Sequence, residues 1–133
     1  MYEIRRTYSS AFEEEPQIIL LALSTKPQSD GTTNLSVHIG KMPHRFATKA
    51  AETRAANRLR SFVQTLNLRI PSNWRDESET CDGWTNDLTI ECGYNKLHFH
   101  WFCDCPAEWI SVSDLADGID DIAYKLRRLP RSV

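Results

Sequence analysis

Leu88-Thr89-Ile90-Glu91-Cys92-Gly93-Tyr94-Asn95-Lys96-Leu97-His98-Phe99-His100-Trp101 is the stretch whose reading decides the fold. Leu88, Ile90 and Cys92 alternate with Thr89 and Glu91, Gly93-Tyr94-Asn95 supplies turn chemistry, and Leu97, Phe99 and Trp101 alternate with His98 and His100. A period of two sends successive side chains to opposite faces of a strand, so the stretch predicts a β-hairpin with one apolar face. That face needs cover, and the flanking segments have the periodicity to provide it.

On the C-terminal side the chain turns after Pro106. Leu115, Ile119, Ile122, Leu126 and Leu129 then recur at helical spacing, with Ser113 placed to cap the helix. Asp114, Asp117, Asp120 and Asp121 crowd toward its start and Lys125, Arg127 and Arg128 stand at its end, as the helix dipole favours, while Gly118 weakens it. On the N-terminal side Leu59, Phe62, Val63 and Leu66, extended backward by Ala51 and Ala55, predict a helix from about Ala47 to Leu66.

Further back, Tyr2 to Tyr8 alternates β-favouring residues with charged ones that can face water, and Gln17 to Thr25 is an apolar run suited to a central strand buried on both faces. Asp30-Gly31 turns the chain into Leu35, Val37 and Ile39, and Gly40 to Pro43 breaks the extended pattern before the helix. The order is therefore β-ββ-α-ββ-α. Two helices with one apolar stripe each and strands with one apolar face are satisfied together in an α+β fold, an antiparallel sheet with both helices packed on one face. Leu97, Phe99 and Trp101 then point inward, and His98, His100 and Phe102 project from the other face.

A length of 133 residues is that of one domain with its own core, and the 41% apolar and 26% charged fractions are ordinary for a globular protein. The longest apolar run, Ile18 to Leu23, is too short to span a bilayer, and no cationic-then-apolar leader opens the sequence, so no membrane role and a cytoplasmic location are expected. A chain of this size has little need of disulfides, and reduced thiols are expected for its four cysteines.

The net charge of −2 hides an uneven layout. From Lys41 to Arg75 eight Lys and Arg face one acid, Glu52; from Asp76 to Asp121 twelve acids face Lys96 alone. The two segments either neutralise each other in the fold or present charge to a partner.

Among the residues that can carry chemistry, His98, His100, Cys103 and Cys105 are the densest group and have the types for a metal- or thiol-dependent enzyme. Zinc sites favour cysteine pairs two to four residues apart, however, and the signatures of cysteine nucleophiles are absent. The glycines are scattered, so no phosphate loop is formed, and neither a serine elbow nor an HExxH run occurs. No cofactor is expected. The basic 41–75 region, with Lys49, Arg54, Arg58 and Arg60, suits phosphates, but the chain as a whole is slightly acidic and nucleic acid is the less favoured partner.

The leading feature is a set of tryptophans among acids: Trp74, Glu77, Glu79, Asp82, Trp84, Glu108 and Trp109. Such tryptophans either fold back as lids on the core or anchor a basic protein partner. From Leu59 to Leu129 the element order, a helix ending near Pro71, Asp82-Gly83-Trp84 before a strand, an aromatic hairpin, Pro106-Ala107-Glu108-Trp109 and an amphipathic helix, resembles that of small bacterial α+β proteins, the emfourin-like protealysin inhibitors and immunity proteins of interbacterial toxins. The resemblance implies a non-enzymatic protein that occludes a toxin or enzyme.

Overall fold

The computed structural model describes residues 1–10, 15–70 and 83–129. Six strands form one antiparallel sheet: β1 (Tyr2–Ser9), β2 (Gln17–Leu23), β3 (Leu35–Ile39), β4 (Met42–His44), β5 (Thr85–Cys92) and β6 (Asn95–Phe102), in the order β4-β3-β2-β1-β5-β6. Helices α1 (Lys49–Gln64) and α2 (Ile110–Arg128) cover one face. The expected α+β architecture is present.

The core lies between that sheet face and the helices. Ile4, Ile19, Leu23, Val37 and Leu88 meet Ala56 and Leu59 of α1 and Val112, Leu115 and Ile119 of α2, all of them buried. Period two in the strands and three-to-four spacing in the helices converge on one apolar volume, which is why the elements assemble this way. Ser111 Oγ donates to Asn67 O (2.9 Å) and accepts from Asn67 N (3.0 Å), tying the chain just past α1 to the start of α2.

Four expectations are corrected. The first concerns residues 40–43, which do not break the sheet. Gly40, at φ +62°, turns the chain within two residues and returns it as β4, whose Met42 lies opposite Ile39. Pro43 is tolerated because β4 is an edge strand, whose outer side needs no ladder donor. The second concerns β2, an interior strand buried on one face only, with Leu20 41% exposed on the other.

Third, Ser113 does not cap α2. A 3-10 turn, Ala107–Trp109, follows Pro106 and runs directly into the helix at Ile110, which brings Val112 into the buried stripe ahead of Leu115. Helix α1 does have a side-chain cap, Thr48 Oγ accepting from Ala51 N at 3.1 Å. Fourth, Leu97 is 48% exposed rather than in the core; it sits on edge strand β6, which has no neighbour on its outer side among the described residues, while Phe99 and Trp101 are buried as expected.

Tyr2, Ile4, Arg6 and Tyr8 share the inward face of β1, in line with its alternation, and Arg6 is buried. Its Nε and a terminal nitrogen donate to the two carboxylate oxygens of Asp120 at 3.2 and 3.1 Å, and it also donates to Asn86 Oδ1 (2.9 Å) and Thr7 O (3.2 Å). The guanidinium lies 5.2 and 5.4 Å from the ring centroids of Tyr8 and Trp101. A buried charge without such partners would be prohibitive, and this network satisfies it.

Candidate functional site

The sheet face turned away from the helices has no cover among the described residues, and the register fixes what lies on it. His38, Leu20, Arg5, Thr89 and His98 form one row across five strands, and Thr7, Asp87 and His100 stand in the next. The face is shallowly concave, with a depression of about 390 Å³ around Leu20, Arg5 and His38.

Its polar centre is Asp87. His98 Nε2 and His100 Nδ1 donate to the same oxygen, Asp87 Oδ1, at 2.9 and 3.0 Å. Partial burial opposes ionisation of Asp87, but the hydrogen bonds and charge of His100 and His98 outweigh it and hold the carboxyl below its usual range. Asp87 is a residue that sequence reading missed although a signal existed. A two-residue turn at Gly93-Tyr94 pairs Cys92 with Asn95, and counting back from that pair sets Asp87 opposite His100.

His98 and His100 do share the outward face, as expected, but the cysteines do not join them in a reactive site. Cys103 is disulfide-bonded while Cys92 and Cys105 are free, which overturns the expectation that all thiols are reduced. The Cys105 thiol is half-buried near the start of α2, and burial, reinforced by the charge of Asp117, pushes its pKa up to about 11. A thiol held so far above neutrality supplies little thiolate for attack or metal ligation. Among the described residues no group of three His, Cys, Asp or Glu side chains is placed to hold a metal ion.

Of the tryptophan and acid set, Trp74, Glu77, Glu79 and Asp82 lie outside the described residues. Trp109 folds onto the core: its ring meets Phe99 edge-on at 5.9 Å and its Nε1 donates to Arg69 O at 3.0 Å. Trp84 remains 40% exposed, its ring 6.0 Å from that of Tyr8, and its carbonyl accepts from Cys103 N at 2.7 Å. Glu108 is half-buried in the 3-10 turn beside Trp109.

The opposite charge segments do not neutralise each other through ion pairs: none of those among the described residues joins 41–75 to 76–121. The acids divide instead into two groups. Asp87, Glu91, Asp120 and Asp121 are engaged by His98 and His100, Lys96, Arg6 and Lys125 respectively. Asp104, Glu108, Asp114 and Asp117 have no ion-pair partner among the described residues, and they run from the end of β6 through the first turns of α2.

Within the basic segment, Lys49 pairs with Glu52, and Arg60 holds Thr33 and Asn57, which leaves Arg54 and Arg58 as the cations of α1 not tied to a polar side chain among the described residues. No helix among the described residues is long and apolar enough to cross a membrane. No protein-family model, no curated protein and no solved structure matches this chain.

Proposed function

We propose that the chain is a protein-binding module, of the immunity or inhibitor kind, that occludes a basic partner toxin or enzyme without catalysing a reaction. The observation that carries this reading is the stretch Asp104, Glu108, Asp114 and Asp117, four carboxylates without a neutralising cation among the described residues, together with the half-exposed ring of Trp84. Unneutralised carboxylates steer a cationic surface toward encounter, and an aromatic side chain provides the area that holds it. The raised pKa of Cys105 and the engaged histidines favour occlusion over thiol chemistry. The disulfide at Cys103 favours a compartment where thiols are oxidised over the cytoplasm expected from the sequence.

The test is co-purification with a basic protein encoded beside this one, followed by association kinetics. Reversal of Asp104, Asp114 and Asp117 to lysine is expected to slow association about tenfold or more at low salt, and raised salt to erase most of that difference. An association rate indifferent to both the reversal and the salt refutes the reading.

A further inference from the structure

The end of α1 meets the start of α2 through Asn67 and Ser111, and the two helices do not close along their whole length. Near the C-terminal end of α1 they approach closely: a Cβ placed on Gly118 would lie 3.4 Å from the Phe62 ring and 3.8 Å from Leu59. Toward the N-terminal end of α1 the facing residues are Ala51 and Ala55, too small to fill the space opposite Ile122 and Leu126. The result is a trough of about 430 Å³, with Leu59 and Leu126 in its floor and Phe46 and Leu129 at the far end.

The charge along its rim is one-sided. Arg54 and Arg58, one helical turn apart on α1, stand on one side, and Lys125 and Asp121 of α2 stand on the other. Among the described residues Asp121 is the only carboxylate on this lining, and it is engaged by Lys125 at 3.0 Å. Arg58 is steadied over the Phe62 ring at 5.6 Å, and Arg54 has no ion-pair partner among the described residues. An apolar trough edged by two available guanidinium groups is complementary to a molecule with an apolar body and one carboxylate, which a guanidinium fork binds through two parallel hydrogen bonds.

We infer that the α1–α2 trough is a binding site for a small amphipathic carboxylate, its chain lying on Ala51, Ala55, Ile122 and Leu126 and its head group held by Arg54 and Arg58. The volume suits this occupant, since small-molecule sites span about 300–1,000 Å³, whereas a partner helix is about 10–12 Å across with its side chains. The site is separate from the acidic surface proposed for a protein partner and opposite in sign, so either can fail without the other.

The experiment is calorimetric titration of the intact protein with decanoate below its micellar concentration, with 1-decanol and decyltrimethylammonium as controls. Decanoate is expected to bind at one site, at least about tenfold more tightly than decanol, with no binding of the cation. The exposed double substitution Arg54→Gln with Arg58→Gln is expected to remove that preference while the far-ultraviolet circular dichroism stays unchanged. Ala55→Leu, which fills the trough, should weaken decanoate and decanol alike. Equal affinity for decanoate and decanol, binding indifferent to the arginine substitutions, or no binding overturns the inference. So does uptake of an acidic amphipathic peptide or of anionic vesicles in place of free decanoate.

Discussion

Breaking the Arg6–Asp120 pair one member at a time separates the cost of a stranded charge from the worth of the pair itself. The Arg6 side chain is 6% exposed and that of Asp120 35%. Burial raises the pKa of the Asp120 carboxyl, and the hydrogen bonds and charge of Arg6 only partly offset it. Desolvation thus outweighs attraction on the acid's side, as is common for buried ion pairs. Asp120→Ala leaves Arg6 buried with Asn86, Thr7 O and two aromatic rings as its remaining partners.

Losing one member of a buried pair costs about 3–5 kcal/mol, and the partial exposure of Asp120 places this case lower, at about 2–3 kcal/mol. Arg6→Met strands Asp120 and the Asn86 amide and is expected to cost a similar amount, whereas Arg6→Met with Asp120→Leu replaces the pair by apolar groups and should cost far less than the sum of the single changes. Urea unfolding measures all three. With a slope of about 1–3 kcal/mol/M, each single substitution lowers the midpoint by about 0.7–3 M and the double variant by a fraction of that. Additivity of the singles to within about 0.5 kcal/mol would refute the account.

pH provides a second readout on the same pair. A carboxyl with a raised folded-state pKa makes the native state bind protons more readily than the unfolded chain. The stability difference between wild type and Asp120→Asn should therefore fall as pH rises from the ordinary carboxylate range through the raised value.

Asp87 titrates in the opposite sense. Its lowered pKa contributes stability above the ordinary carboxylate value that is lost as pH falls through the folded one, and NMR titration should show the midpoint moving up toward normal in His98→Ala with His100→Ala. Alkylation in urea without reductant should label Cys92 and Cys105 and spare Cys103, and in native protein at pH 8 Cys105 should react far more slowly than a free thiol; labelling of all cysteines without reductant would contradict the disulfide. Gly118→Ala should add up to about 1 kcal/mol of stability through helix propensity, read as a higher urea midpoint, because the added methyl meets Phe62 at ordinary contact distance. Leu20→Lys on the uncovered sheet face should change stability by less than about 0.5 kcal/mol, and a larger loss would show that this face is packed against something.

The sequence by itself determined the element types other than short β4 and the layer arrangement, because period two and helical spacing are local properties of the chain and their apolar faces have one economical way to be buried together. Leu88, Ile90, Phe99 and Trp101 face the core as their alternation requires. Local pattern also placed His98 and His100 outward. The pairings were decided by the tertiary structure alone, since they join residues far apart in the chain. Alternation put Arg6 in line with Ile4 and Tyr8, but only the approach of α2, 114 positions away, supplied the carboxylate that lets a guanidinium be buried there. Distance in sequence likewise hid the trough, which exists because Ala51 and Ala55 of one helix come to face Ile122 and Leu126 of the other. The charge imbalance was plain in the chain, yet which acids are neutralised is set by where Arg6, Lys96, Lys125 and the two histidines arrive, and no local period encodes that.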